Sequence, residues 1–175
     1  MISKQIASAV RDVPDFPKPG IVFKDITPVL SDPKLCDAII AHFVERYQDQ
    51  DLDAVVGLES RGFLFGMSLA QKLNLPFVPV RKKGKLPHDV ISYSYDLEYG
   101  SATVEIHKDA LKPGMKVLIH DDLLATGGTA VAAAELVKEL GAIPIAFAFI
   151  IGLSFLKGDH KLKNYTNNIY SIISY

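Results

Sequence analysis

The segment VLIHDDLLATGGTAVAAAELV, residues 117–137, carries the residue types most suited to chemistry. An apolar run with strand character ends on two acids, Asp121 and Asp122. A short loop follows, made of Ala125, Thr126, Gly127, Gly128 and Thr129, and then a helix begins. The first N–H groups of a helix lack internal partners, and the helix dipole there favours an anion. Glycines let the backbone approach a phosphate, and threonine hydroxyls add donors. The acids lie just upstream. As hydrogen-bond acceptors they suit the hydroxyls of a sugar diol. A phosphate cradle beside a diol reader describes a ribose 5-phosphate site. The segment has neither G-x-x-x-x-G-K-[ST] nor G-x-G-x-x-G after a strand, so the two common nucleotide loops do not fit. The plain alternative is an ordinary strand, turn and capped helix.

Other residues offer charge. Arg61, in ESRGF, presents forked donors matched to phosphate oxygens. Arg81, Lys82, Lys83 and Lys85 form a dense basic run in RKKGKLPHD, which reads as an exposed loop and either grips a polyanion or is simply solvated. The five histidines, at 42, 88, 107, 120 and 160, have no metal-ligand spacing. His120 reads as a strand-end residue facing a polar neighbour. Cys36 reads as a small packed hydrophobe in a helix, and no G-x-S-x-G occurs.

Composition limits the partners. The chain has 175 residues, 49% hydrophobic and 22% charged, with a formal net charge of −1. That length suits one domain. The charge balance gives no reason to expect nucleic acid or an anionic membrane as partner, so any bound anion is held by a local site. One cysteine cannot form an internal disulfide. The first residues lack the apolar block of a signal peptide, and no apolar run reaches the ~18 residues of a membrane span. The expected setting is the cytoplasm.

Periodicity then supplies the frame. Ile2, Ile6, Ala9 and Val10 have helical spacing, with Pro14 expected to stop that helix. PDFPKPG is extended and turning, and Asp32 with Pro33 opens a helix to about Tyr47. Strands are expected at 53–57, 76–80, 90–95, 102–107, 115–120, 143–150 and 169–173, and helices at 62–73 and 128–140. This alternation predicts an α/β fold: a single domain with a mainly parallel central sheet flanked by helices. Such sheets bind ligands at the carboxyl ends of their strands, where strand order reverses.

VLIHDDLLATGGT resembles the signature of type I phosphoribosyltransferases, which binds 5-phosphoribosyl 1-diphosphate (PRPP). His120 replaces the usual aliphatic residue. PDFPKPGIVFKDITPVL, GLESRGFLFG, VRKKGKLP and LEYG resemble the adenine-specific branch, so the likeness is nearly full length. It implies one domain over 1–175, with residues 1–30 as a small base-binding hood, a core over 50–155 and the PRPP motif at 117–129. It implies Mg²⁺-dependent transfer of the phosphoribosyl group to N9 of adenine, giving AMP and pyrophosphate, with the metal held through PRPP and water. Backbone groups of Val22 and Lys24 would bind adenine, Phe23 would stack on it, and Leu153 would form the opposite wall. On residue types alone, Phe23 and Leu153 read as core. Arg61, Arg81, Lys82 and Lys85 would face the diphosphate. Glu98 would be the acid/base, with Tyr99 closing over the site. A homodimer is implied. His88 departs from the family's small residue after GKLP, and Gly152 stands where some relatives carry glutamate. A phosphoribosyltransferase for another base and a non-catalytic nucleotide sensor are the competing readings.

Overall fold

Hydrophobic spacing along the chain changes between helical and extended, and the backbone follows those changes. The structure is a computed structural model that describes residues 2–96 and 100–175. Ile2–Ala9 (α1) is a helix, and Arg11–Pro14 (β1) pairs antiparallel with Val22–Asp25 (β2) outside the main sheet. The expected helix to Pro14 is therefore corrected: it ends at Ala9, and Arg11–Pro14 pair across the β1/β2 ladder. Thr27–Leu30 (α2) precedes Pro33–Tyr47 (α3). Asp32 caps α3, its carboxylate accepting from the N–H groups of Lys34 and Leu35, while Pro33 occupies the first turn where no N–H is needed.

Ala54–Leu58 (β3), Gly62–Lys72 (α4), Phe77–Lys82 (β4), Val90–Asp96 (β5) and Ser101–His107 (β6) follow. Lys116–Leu124 (β7), Gly128–Glu139 (α5), Ile143–Gly152 (β8), Gly158–Leu162 (α6) and Ile169–Ser174 (β9) complete the strands and α-helices, with a 3-10 turn at Ser154–Leu156. Seven strands form one sheet in the order β5-β6-β4-β3-β7-β8-β9. The five from β4 to β9 in that order are mutually parallel, and β5 and β6 extend the sheet as an antiparallel ribbon. The chain moves from β3 outward to β4, then returns to place β7 on the other side of β3. Strand order therefore reverses between β3 and β7, and their carboxyl-end loops face one crevice.

Two apolar layers cover the sheet. Leu136 and Val137 of α5 pack with Val56, Ile119 and Phe147 on one face. Ile39 and Phe43 of α3, with Leu69 of α4, pack with Val55, Leu118 and Ala148 on the other. β3 is buried at all five positions, as a strand covered on both faces must be. Among the described residues, no helix is long and apolar enough to cross a membrane.

β4 and β7 run further than expected. β4 includes Arg81 and Lys82, which pair with Glu105 and Val104 of β6, so half of the basic run is strand rather than loop. β7 continues through Asp121 and Asp122 to Leu124, because β8 supplies partners as far as Gly152. The acids thus sit inside a strand, not at its end. His120 is also corrected. It is 0% exposed, its ring meets the edge of Phe43 at 5.5 Å, and neither ring nitrogen has a hydrogen-bond partner among the described residues. Burial pushes its pKa down to about 4, offset only in part by the backbone of Ala148, which lies short of a hydrogen bond.

A neutral histidine buried this way binds a proton more readily unfolded than folded. Its contribution to stability is full above its unfolded pKa of about 6.5 and is lost as pH falls toward 4. The loss at pH 5 is about 2 kcal/mol. His120→Val should remove that loss, so thermal unfolding at pH 5 and pH 7.5 should show a smaller pH-dependent fall in Tm for the variant than for the wild type.

Candidate active site

The loop after β7 and the start of α5 form the first part of the site. Gly127 adopts φ +80°, a left-handed conformation suited to glycine, and no side chain caps α5. The free N–H groups of the first turn are therefore open to a ligand. A hollow of ≈ 80 Å³ lies here, lined by Asp121, Ala125, Thr126, Gly127, Gly128 and Thr129 among others. The volume and donors suit one phosphate group.

The cradle has a rigid back wall. A Cβ on Gly158, the first residue of α6, would lie 2.2 Å from the Ala125 carbonyl oxygen and 2.9 Å from the Gly127 nitrogen. A Cβ on Gly127 would lie 2.7 Å from the Gly158 carbonyl oxygen. Two backbones interlock where neither tolerates a side chain. Leu162, 0% exposed, anchors α6 in the core. Sequence reasoning passed over Gly158, whose only signal was its place in a polar segment.

The acids stand beside the cradle. Asp122 is 2% exposed, and its Oδ2 lies 2.9 Å from Arg61 Nε. That N–H is not aligned as a hydrogen bond, so the contact is one of charge. Burial raises the Asp122 carboxyl above its ordinary range, and Arg61 opposes the shift. Asp121 Oδ1 accepts from the Asp122 N–H at 2.9 Å. Burial, then the neighbouring Asp122 charge, raises the Asp121 carboxyl well above its ordinary range. Among the described residues, no group of three or more His, Cys, Asp or Glu could hold a metal ion.

Arg61 sits immediately before α4, in the loop after β3, where the Glu59 to Ser60 peptide is cis. Its guanidinium also lies 5.4 Å from the ring centre of Phe23. One side chain therefore bridges β2 and Asp122. Phe16 meets Phe23 edge-on at 5.2 Å, and Val22 is exposed. Lys24 Nζ lies 2.6 Å from Asp12 Oδ1 and 3.9 Å from the ring centre of Tyr175, so its side chain is turned to those partners. Tyr175 in turn bonds to Gly152 and Ser154, the neighbours of Leu153. The Leu153 N–H donates to the Leu124 carbonyl at 2.9 Å, fixing Leu153 to the end of β7.

The basic residues have a counter-ion that sequence reasoning missed. Glu59, at the end of β3, accepts from Lys85 Nζ at 2.8 Å, from the Lys82 N–H at 2.9 Å and from Arg81 Nε at 3.3 Å. Arg81 Nη1 also donates to the Lys85 carbonyl at 3.1 Å. Burial raises the Glu59 carboxyl, but the Lys85 and Lys82 bonds and the charges of Lys85 and Arg81 outweigh it, and its pKa falls below the usual range. A cleft of ≈ 400 Å³ opens beside Glu59, Lys82, Lys83, Tyr95 and Thr129. Another hollow, ≈ 430 Å³, lies behind the cradle between β8, β9 and α6, with Leu153 alone of the expected residues that are described at its edge. The structure thus joins Phe23 to Asp122 through Arg61, sets Asp121 in the lining of the 125–129 hollow, and gathers Arg81, Lys82 and Lys85 on Glu59, which opens on a neighbouring cleft that Thr129 also lines. Glu98 and Tyr99 lie outside the described residues.

Residues 26–173 match the phosphoribosyl transferase domain family. The adenine phosphoribosyltransferase of Cytophaga hutchinsonii is 50% identical over 175 residues, which cover 100% of this chain and 97% of the relative. The crystal structure of adenine phosphoribosyltransferase from Thermoanaerobacter pseudethanolicus superposes with a TM-score of 0.95 at 48% identity, covering 100% of both chains. The Saccharomyces cerevisiae enzyme, complexed with adenine and an imino-altritol 1,6-bisphosphate, gives a TM-score of 0.91 at 41% identity and covers 98% of each chain. With its seven-stranded sheet, its cradle at the switch point and these relatives, the chain belongs to the adenine phosphoribosyltransferases.

Proposed function

We propose that the protein transfers the 5-phosphoribosyl group of PRPP to N9 of adenine, giving AMP and pyrophosphate in purine salvage. The observation that carries this reading is Arg61, whose guanidinium lies against both Asp122 and the Phe23 ring. A sugar-phosphate cradle and an aromatic base wall joined through one cation suit a ligand that is base, ribose and phosphate in line.

In this reading the 125–129 loop holds the 5′-phosphate, and Asp121 and Asp122 accept from the ribose hydroxyls. Adenine lies on Phe23 with Leu153 opposite. The backbones of Val22 and Lys24 meet the donor and acceptor on its edge, a fixed answer that favours adenine over a 6-oxopurine. Arg61, Arg81, Lys82 and Lys85 face the diphosphate. N9 attacks C1′ as the bond from C1′ to the diphosphate oxygen breaks. The electron pair leaves with pyrophosphate, positive charge builds on the ribose ring, and Glu98 takes the N9 proton. Preorganised cations stabilise the leaving group at no reorganisation cost during the step.

The residues fit a magnesium ion only through substrate. Of the two nearby acids, Asp122 is already engaged by Arg61. The ion's ligands would be oxygens of the substrate and water, which is how magnesium often binds. When bound, it supplies charge neutralisation of the diphosphate. A homodimer in the cytoplasm is the assembly and setting we expect, on the family resemblance.

Incubation with PRPP, Mg²⁺ and adenine should yield AMP and pyrophosphate. Hypoxanthine and guanine should yield nothing, and removal of Mg²⁺ should abolish turnover. Glu98→Gln should lower kcat by about 10²–10⁴-fold. Formation of IMP or GMP would keep the cradle and overturn the base assignment, whereas ligand binding without turnover would favour a sensor.

The interlocked glycines give a second expectation. Gly158→Ala must displace the Ala125 to Gly127 backbone, so it should raise KM for PRPP about tenfold or more while KM for adenine changes less than about twofold. Steady-state kinetics with each substrate varied in turn would measure the split. Equal changes in both constants would show that α6 does not act on the cradle.

A further inference from the structure

Tyr95 lies on β5, 34 positions before its partner, and its hydroxyl is 2.9 Å from the Thr129 hydroxyl at the start of α5. Its ring covers the adjacent glycine, since a Cβ on Gly128 would lie 3.2 Å from it. Tyr95 and Thr129 also line the cleft beside Glu59 and Lys82. Tyrosine in a strand ordinarily reads as packing, and its partly buried ring does pack against the core. Packing, however, does not explain a hydroxyl aimed at a residue of the phosphate cradle.

We infer that Tyr95 is a positioning residue that fixes the Thr129 hydroxyl as a donor to the 5′-phosphate of the sugar substrate. This rests on the function proposed above. A threonine hydroxyl has one proton and can accept further hydrogen bonds. In the free protein either oxygen of the pair can donate. A phosphate oxygen only accepts, so with phosphate in the cradle the Thr129 proton goes to the ligand. Thr129 Oγ1 then accepts from Tyr95, and the chain runs Tyr95 to Thr129 to phosphate in one direction. Hydrogen bonds aligned this way polarise and strengthen one another. Threonine in a helix divides between two side-chain rotamers, one of which turns its hydroxyl back to the carbonyl three or four residues earlier. The bond from Tyr95 holds the hydroxyl on the cradle side before the ligand arrives.

Tyr95→Phe keeps the ring over Gly128 and removes only the hydroxyl. Ribose 5-phosphate binding by calorimetry and steady-state kinetics should be measured for the wild type, Tyr95→Phe, Thr129→Val and the double variant. Tyr95→Phe should weaken ribose 5-phosphate binding and raise KM for PRPP about three- to tenfold, the range of one neutral hydrogen bond, with KM for adenine unchanged. In the Thr129→Val background it should change nothing further, because Tyr95 acts through Thr129. An equal loss in both backgrounds, no loss at all, or a parallel rise in both KM values would overturn the inference. If the wild type forms no nucleotide, the proposed function fails, while the binding cycle with ribose 5-phosphate still decides the role of Tyr95.

Discussion

The contact between Arg61 and Asp122 ties the two loops that flank the switch point of the sheet. Asp122 is almost wholly buried within β7, and an unpaired carboxylate there would carry a large desolvation cost. Arg61 answers it from the loop after β3, across the line where strand order reverses. The same guanidinium lies against Phe23 and so draws the small β1/β2 sheet to the crevice. Without this cation Asp122 loses its ion pair, and the β1/β2 ribbon loses a contact with the main sheet.

The site is organised as cations already matched to acids. Arg61 has Asp122, Lys85 and Arg81 share Glu59, and Lys24 has Asp12. The chain is nearly neutral overall, so its capacity for a polyanion comes from this local arrangement and not from bulk charge. On the function proposed above, a diphosphate would meet Arg61, Arg81 and Lys85 already held by the buried carboxylates of Asp122 and Glu59. Their conformational entropy is partly lost before binding, which is the physical content of preorganisation.

Much of this was legible in the sequence, for identifiable reasons. The order of apolar strand, two acids, glycine turn and alanine-rich helix depends on local chemistry, and local chemistry is what residue order records. The same holds for Asp32 and Pro33 at the start of α3. What sequence reasoning missed depends on contacts between distant segments. Arg11–Pro14 became a strand because β2 folds back on it, and Pro14 is tolerated at the end of a two-stranded ladder. The aspartates lie inside β7 because β8 pairs with it to Gly152. Glu59 lies inside GLESRGFLFG and Tyr95 just before LEYG, but neither segment shows their partners, which lie 22 to 34 positions away. His120 read as polar and strand-terminal, yet the alternation of β7 turns it into the α3 face beside Phe43.

The interlock of Gly127 with Gly158 also bears on the order in which the protein matures during synthesis. The chain leaves the ribosome from its N-terminus, so the strand and loop of the cradle emerge well before α6. Until Gly158 docks, the residues 125–127 have their sequence but lack the backbone against which their shape is set. Nascent chains that already hold most of the sheet would therefore remain unable to capture a sugar phosphate. On the function proposed above, capture of a sugar phosphate would begin only when the C-terminal portion has closed behind the loop, so incomplete chains would not sequester substrate.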